Sequence, residues 1–171
     1  SRVTAGGGTD DRYELSGIAN YFKDELRVSV LASSNNINSS GFSFDEVFDM
    51  MGGNARSVRI NGNGSFSING TGFGSNNGIT KSETGGFNFA NEWDNGMELT
   101  ADYFYGGSDT ETRTRIEREN ILPDSRYFTN STSSSNLLND SHRATLRYEV
   151  EFDTLTRLSI APRFNANIGT S

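Results

Sequence analysis

Alternation of apolar and polar residues with a period of two is the dominant pattern in this chain and recurs in six separate stretches. That period marks a strand with one face in an apolar environment, because successive side chains point to opposite sides of a sheet. In residues 12–22 the apolar phase carries Tyr13, Leu15, Gly17, Ala19 and Tyr21. Past a short turn at Lys23-Asp24-Glu25, residues 26–36 set Leu26, Val28, Val30 and Ala32 against Arg27, Ser29 and Ser33. Residues 79–91 align Gly85, Phe87 and Phe89, and Asp94-Asn95-Gly96 then offers the positive φ of a tight hairpin. In residues 97–108, Met97, Leu99, Ala101, Tyr103 and Tyr105 oppose Glu98, Thr100 and Asp102. In residues 142–152, Ala144, Leu146, Tyr148, Val150 and Phe152 oppose Arg143, Thr145, Arg147, Glu149 and Glu151. The last stretch, residues 157–168, sets Leu158, Ile160, Pro162, Phe164, Ala166 and Ile168 against Ser159, Arg163, Asn165 and Asn167.

The connections add a second pattern. Those after the first, third and fifth strands are short, whereas those after the second and fourth are long, covering residues 38–78 and 107–140. Within the latter, Thr and Glu alternate with Arg over residues 110–119, too charged for lipid, so the fourth strand is expected to continue there above the membrane, with Tyr127, Phe128 and residues 130–136 on the returning arm of the hairpin. Antiparallel strands place alternate connections at opposite ends, so all the long loops gather at one rim. Outer-membrane barrels are built this way, with short turns at one rim and longer external loops at the other. The predicted fold is all-β: an antiparallel up-and-down meander of about six strands, with a short helix in the first long loop. The smallest membrane barrels have eight strands. The chain is therefore expected to form part of a larger transmembrane barrel, or to need a second copy for closure. Tyr21, Trp93 and Phe152 stand beside the short turns as a candidate aromatic belt. Arg143, Arg147, Glu149, Glu151 and Arg163 share the polar phase as candidate lumen-facing charges. A soluble sandwich with one buried and one wet face shares the alternation but has no reason to segregate its loops.

The helix signal lies at Ser43-Phe44-Asp45-Glu46, a capping box in which Ser43 and Glu46 each satisfy the other's backbone N–H. Phe44, Val47, Phe48 and Met51 then follow at helical spacing as one apolar stripe, expected to pack over the barrel mouth or inside the lumen, or alternatively to contact a partner or ligand, and Gly52-Gly53 offers a C-terminal cap. Beyond it, the Gly/Asn-rich residues 54–78 hold isolated Phe66, Ile68 and Phe73 and read as a loop or weak hairpin.

Composition changes the picture only in part. The chain is 33% hydrophobic with a mean hydropathy of −0.59 and no apolar run of membrane-helix length. In a barrel wall those values are ordinary, because half of every strand is polar. A net charge of −7, with arginines scattered among carboxylates, argues against nucleic acid. Zero cysteines exclude disulfides and thiol chemistry, and leave the redox compartment open. The only histidine is His142, whose neighbours Asp140 and Ser141 alternate along a strand, so no catalytic triad is expected. The glycine-rich stretches lack the ending of a phosphate loop, and the Asp and Asn clusters fit no metal-ligand spacing. No enzyme activity, cofactor or metal is expected.

Residues 33–53, reading Ser-Ser-Asn-Asn-Ile-Asn-Ser-Ser-Gly-Phe-Ser-Phe-Asp-Glu-Val-Phe-Asp-Met-Met-Gly-Gly, resemble a segment of the TonB-dependent-receptor-like outer-membrane β-barrel family of Bacteroidetes-type bacteria. Similar runs are Gly78-Ile79-Thr80-Lys81-Ser82 leading to Gly86-Phe87-Asn88-Phe89, and Tyr103-Phe104-Tyr105 leading to Ser108-Asp109-Thr110-Glu111-Thr112. Leu122-Pro123-Asp124-Ser125 and His142-Arg143 leading to Leu146 continue the series. The resemblance spans nearly the whole chain and implies an early part of the barrel. It implies the outer membrane of a Gram-negative bacterium, lipid contact, and the plug domain and remaining strands of a parent protein. It also implies energised uptake through the TonB system as a property of that parent. The expected role is barrel wall and external loop in uptake or binding of a ligand. The competing expectation is a soluble all-β carbohydrate-binding or adhesive module.

Overall fold

The computed structural model describes residues 1–50, 57–62, 65–68, 71–74, 79–153 and 155–171. Its frame is one antiparallel sheet. Strands β1 (Arg2–Gly7), β2 (Tyr13–Lys23) and β3 (Leu26–Asn35) pair in sequence. A helix α1 (Phe44–Met50) and three short strands, β4 (Val58–Ile60), β5 (Phe66–Ile68) and β6 (Thr71–Phe73), come next. The chain then returns to the large sheet as β7 (Ile79–Trp93) beside β3, followed by β8 (Met97–Leu122) and β9 (Ser125–Asp153). Finally β10 (Thr156–Ile160) and β11 (Arg163–Thr170) both pair with the far side of β9.

The six predicted strands are present, and their bounds change in four places. β1 is an additional strand: Val3 and Ala5 are its only apolar residues, too weak an alternation to read, and the Asp10-Asp11 turn that joins it to β2 has positive φ at both residues. Residues 107–140 are not an open loop: the hairpin expected within them takes up the whole segment. β8 and β9 run through them as a two-stranded ribbon, paired from Thr112 with Ser135 out to Leu122 with Ser125. Thr, Arg, Glu and Ser occupy both faces there, so no apolar stripe marks the strands, yet the backbone ladder continues. Within residues 38–78, β4, β5 and β6 form a three-stranded sheet of their own where a single hairpin or loop was expected. The last predicted strand is divided at Ala161-Pro162 because proline has no N–H to donate. Pairing does not slip there: Ile160 faces Tyr148, Arg163 faces Thr145, and the Leu146 N–H donates to the Pro162 carbonyl over 3.1 Å.

The capping box closes as the sequence requires. Glu46 N–H donates to Ser43 Oγ at 3.2 Å, and Ser43 N–H donates to Glu46 Oε2 at 2.9 Å. Val47 and Met50 are buried, and Phe44 and Phe48 stack at 5.4 Å on the edge of the same cluster. Met51 and the Gly52-Gly53 cap lie outside the described residues.

The hydrophobic core unites Ile18, Leu31 and Phe104 of the large sheet with Phe42, Val47, Met50, Phe66, Ile68 and Phe73. It therefore sits on the face of the sheet that carries the polar phase of the strands.

Candidate functional site

Directly opposed residues in antiparallel strands share a face, so the register fixes which side chains stand together. Ala19 faces Val30, Val30 faces Phe87, Phe87 faces Tyr103, Tyr103 faces Ala144, and Ala144 faces Phe164. The neighbouring row on that face runs Tyr21, Val28, Phe89, Ala101 and Leu146. All six apolar phases thus meet on one face. Leu15, Tyr21, Val30, Phe87, Tyr103, Leu146, Leu158, Ile160 and Phe164 are exposed there. Asn91, one step inside Trp93, is an amide on that face, level with Leu99.

Two aromatic rows bound the apolar face. At the short-turn rim stand Tyr21, Trp93 and Phe152, at the ends of β2, β7 and β9, which run in the same direction. At the other limit stand Tyr13, Tyr103 and Tyr105, a second row that the sequence reading did not separate from the stripe. Their hydroxyls all have polar partners: Tyr13 with Ser34 at 3.1 Å, Tyr103 with His142 Nδ1 at 2.9 Å, and Tyr105 donating to Asp140 at 3.0 Å. Gly107 makes the last contact possible, since a Cβ there would stand 2.5 Å from the Tyr105 hydroxyl. Lys81 pairs with Glu83 at 3.3 Å at the same level. Beyond it the same phase of β8 turns to charge, with Glu111 on Arg113 at 2.7 Å and Arg115 on Glu117 at 2.5 Å.

The two aromatic rows are inclined to the hydrogen-bond ladder in the same sense. Tyr21 lies level with Leu146, Trp93 lies level with Val150, and Phe152 stands a step further on. At the other limit, Tyr105 faces His142 while Tyr13 falls beyond the row of Glu14, Asn35, Ser82, Ser108 and Asn139. This stagger is what strands tilted to a common axis produce.

The opposite face is polar. Arg143, Arg147, Glu149, Glu151 and Arg163 all stand on it, opposite Phe104, Thr100, Glu98, Arg157 and Thr145 respectively. Glu149 is buried, accepting from Arg147 at 2.8 Å and from the Ser159 hydroxyl at 2.8 Å. Glu151 pairs with Arg157 rather than with Arg147. Asn88 donates to Asp102 over 2.5 Å. The helix and small sheet cover the middle of this face and leave two clefts. One, of about 530 Å³, has charged walls that include Arg27, Glu46, Asp49, Glu92 and Glu98. The other, of about 410 Å³, presents hydroxyls and amides such as Thr84, Ser108, Thr110, Ser141 and Asn167. His142 is engaged with Tyr103, while Ser141 points to the other face and donates to the Gly106 carbonyl at 3.2 Å.

Among the described residues no group of three or more His, Cys, Asp or Glu is placed to hold a metal ion, and no helix is long and apolar enough to cross a membrane. Comparison of the chain with family models, with curated proteins and with solved structures yields no match.

Proposed function

We propose that this chain is a stretch of barrel wall and external ribbon from an outer-membrane protein of a Gram-negative bacterium. It acts without enzymatic chemistry in the uptake or binding of a ligand. One observation supports this reading above the others: the sheet keeps its apolar phase on the outside, between two aromatic rows, while its core and charges lie on the other side. In water that arrangement is unfavourable, since burying a Leu-sized side chain is worth about 1.5–3 kcal/mol. Against lipid it is the expected one. Eight steps separate Tyr13 from Tyr21 on β2 and Met97 from Tyr105 on β8, and a tilted membrane-crossing strand needs about 9–11 residues. Outer-membrane barrels carry such an apolar band between aromatic girdles, with a polar interior. The inclined rows agree with the strand tilt of a closed barrel, for which the open edges of β1 and of β10 and β11 await neighbours.

The resemblance to TonB-dependent-receptor-like barrels extends the proposal to the whole protein. It supplies a plug domain, the remaining strands and the TonB system as partners, and lipid as the outer contact. Cell fractionation tests the membrane reading. The native protein is expected in the outer-membrane fraction, released only by detergent and running faster on gels before heating than after. Recovery as a soluble secreted monomer would overturn it in favour of a soluble binding module.

A further inference from the structure

Three apolar residues out of phase with their strands are buried on the polar face of the wall. Ile18 faces Leu31, Leu31 faces Gly86, and Gly86 faces Phe104, so the three fall in one register row across four strands. Gly86 gives the row its shape, since a Cβ there would stand 2.8 Å from the Phe104 ring and 3.0 Å from Leu31. Phe42, Val47, Met50, Phe66, Ile68 and Phe73 join this row in a single cluster. Polar fastenings hold the same segment to the wall. Asn35 and Ser39 bond in both directions at 3.0 and 3.1 Å, and the Ser39 hydroxyl donates to Glu14 at 2.7 Å. Thr80 N–H donates to Asn38 Oδ1 at 3.0 Å, and Arg2 pairs with Glu46 at 2.9 Å.

We infer that the connection between β3 and β7, through its described parts, is a resident constriction seated inside the barrel rather than an external loop. The inference rests on the barrel reading above. An apolar row on a lumen wall is unfavourable while it faces water, and it becomes favourable when a matching apolar surface stays on it. The segment narrows the passage on this side and divides it between the charged cleft and the cleft of hydroxyls and amides.

Thiol labelling tests this cleanly, because the chain contains no cysteine. In the full-length protein on intact cells, otherwise cysteine-free, Ser33→Cys, Ser141→Cys and Val30→Cys are treated with a membrane-impermeant maleimide, alone or carried on a bulky polymer. Ser141→Cys, in the hydroxyl cleft, is expected to react with the small reagent and not with the bulky one. Ser33→Cys, buried beneath Gly41, is expected to react at least about ten-fold more slowly than Ser141→Cys, waiting on local opening. Replacing Leu31 and Phe104 together by Ser should admit the bulky reagent to Ser141→Cys. Equal reaction of Ser141→Cys with both reagents, or of Ser33→Cys and Ser141→Cys with the small one, overturns the inference. These two comparisons use the intact seat and stand even where the double variant fails to insert. Val30→Cys separates the two levels, for its ready labelling would sink the membrane reading itself.

Discussion

Leu146 stands on the apolar face of β9, partly exposed, four residues from His142 and six from Phe152. Six residues of strand rise about 20 Å, or roughly 15 Å along the axis at a tilt near 40°. Position 146 thus lies near the middle of the band, whereas position 152 lies at its edge. Arginine on the lipid face costs about 2–4 kcal/mol at the bilayer midplane and about 0–1 kcal/mol near the interface. Leu146→Arg should therefore lower the folding equilibrium by a factor of about 30 to 1,000, since about 1.4 kcal/mol is ten-fold. Val150→Arg should fall between Leu146→Arg and Phe152→Arg. Reversible urea unfolding from phospholipid vesicles, read as the fraction of protein in the unheated fast-migrating gel band, measures the series. Arg147→Ala is the control, one residue away on the other face. Glu149 keeps its Ser159 partner there, and an ion pair whose arginine is half exposed contributes about 1 kcal/mol or less. A sheet whose apolar face meets water would give small shifts of about 0.5 kcal/mol at every depth. A flat profile, or a larger cost at position 152 than at 146, refutes the assignment of the faces.

Other substitutions probe separate contacts. Gly86→Val drives a side chain into Phe104 and Leu31, and overpacking of this kind should lower stability by about 1–3 kcal/mol in the same unfolding assay. Ser43→Ala removes one arm of the capping box and should cost helix α1 about 1 kcal/mol, seen as faster amide exchange at residues 47–50. At the β9–β10 turn, the backbone N–H of Leu155 donates to Asp153 and holds its carboxyl below the ordinary range. The folded state thus favours the carboxylate. Its contribution is complete above the unfolded pKa of about 4 and is lost as acid titrates the folded group. The protection of the Leu155 amide, its exchange rate relative to that of the unfolded chain at the same pH, should fall in that acid range, and Asp153→Asn should abolish the dependence. Removing residues 113–134 and joining the ends with a tight turn should leave outer-membrane insertion unchanged, because among the described residues their backbone ladder is made only with one another.

The apolar faces of the six strands were legible because each repeats an alternation with few exceptions, and a one-residue slip would have put any of them on the wrong side. The ribbon was legible only in outline: Thr and Glu alternating with Arg over residues 110–119 point to a continued strand and a hairpin, but without an apolar stripe they give neither its length nor its register. β1 was hidden because Gly6 and Gly7 dilute the stripe of Val3 and Ala5. The seat of the core left a signal that went unread. Ile18, Leu31 and Phe104 are apolar residues in largely polar phases, and aligning the strands on their stripes brings all three into one row. The tyrosine pair was equally available, because Tyr13 and Tyr21 share a phase eight residues apart at the two limits of one strand. Nothing in the sequence places Phe66, Ile68 and Phe73 against that row, because their Gly- and Asn-rich surroundings carry no period.

The proline between β10 and β11 has a consequence for what can be added beside it. Because Leu146 N–H bonds to the Pro162 carbonyl, positions 146 and 162 form a hydrogen-bonded pair, and the bond that proline forfeits points inward, to the Leu146 carbonyl. The outward-pointing amides and carbonyls belong to Ala161, Arg163, Asn165 and Asn167, and every one of those residues keeps its N–H. Pro162 therefore weakens the seam with β9 and leaves the outer border intact. That free border is a complete template for another strand, and the same completeness makes the chain, taken alone, prone to stick to copies of itself.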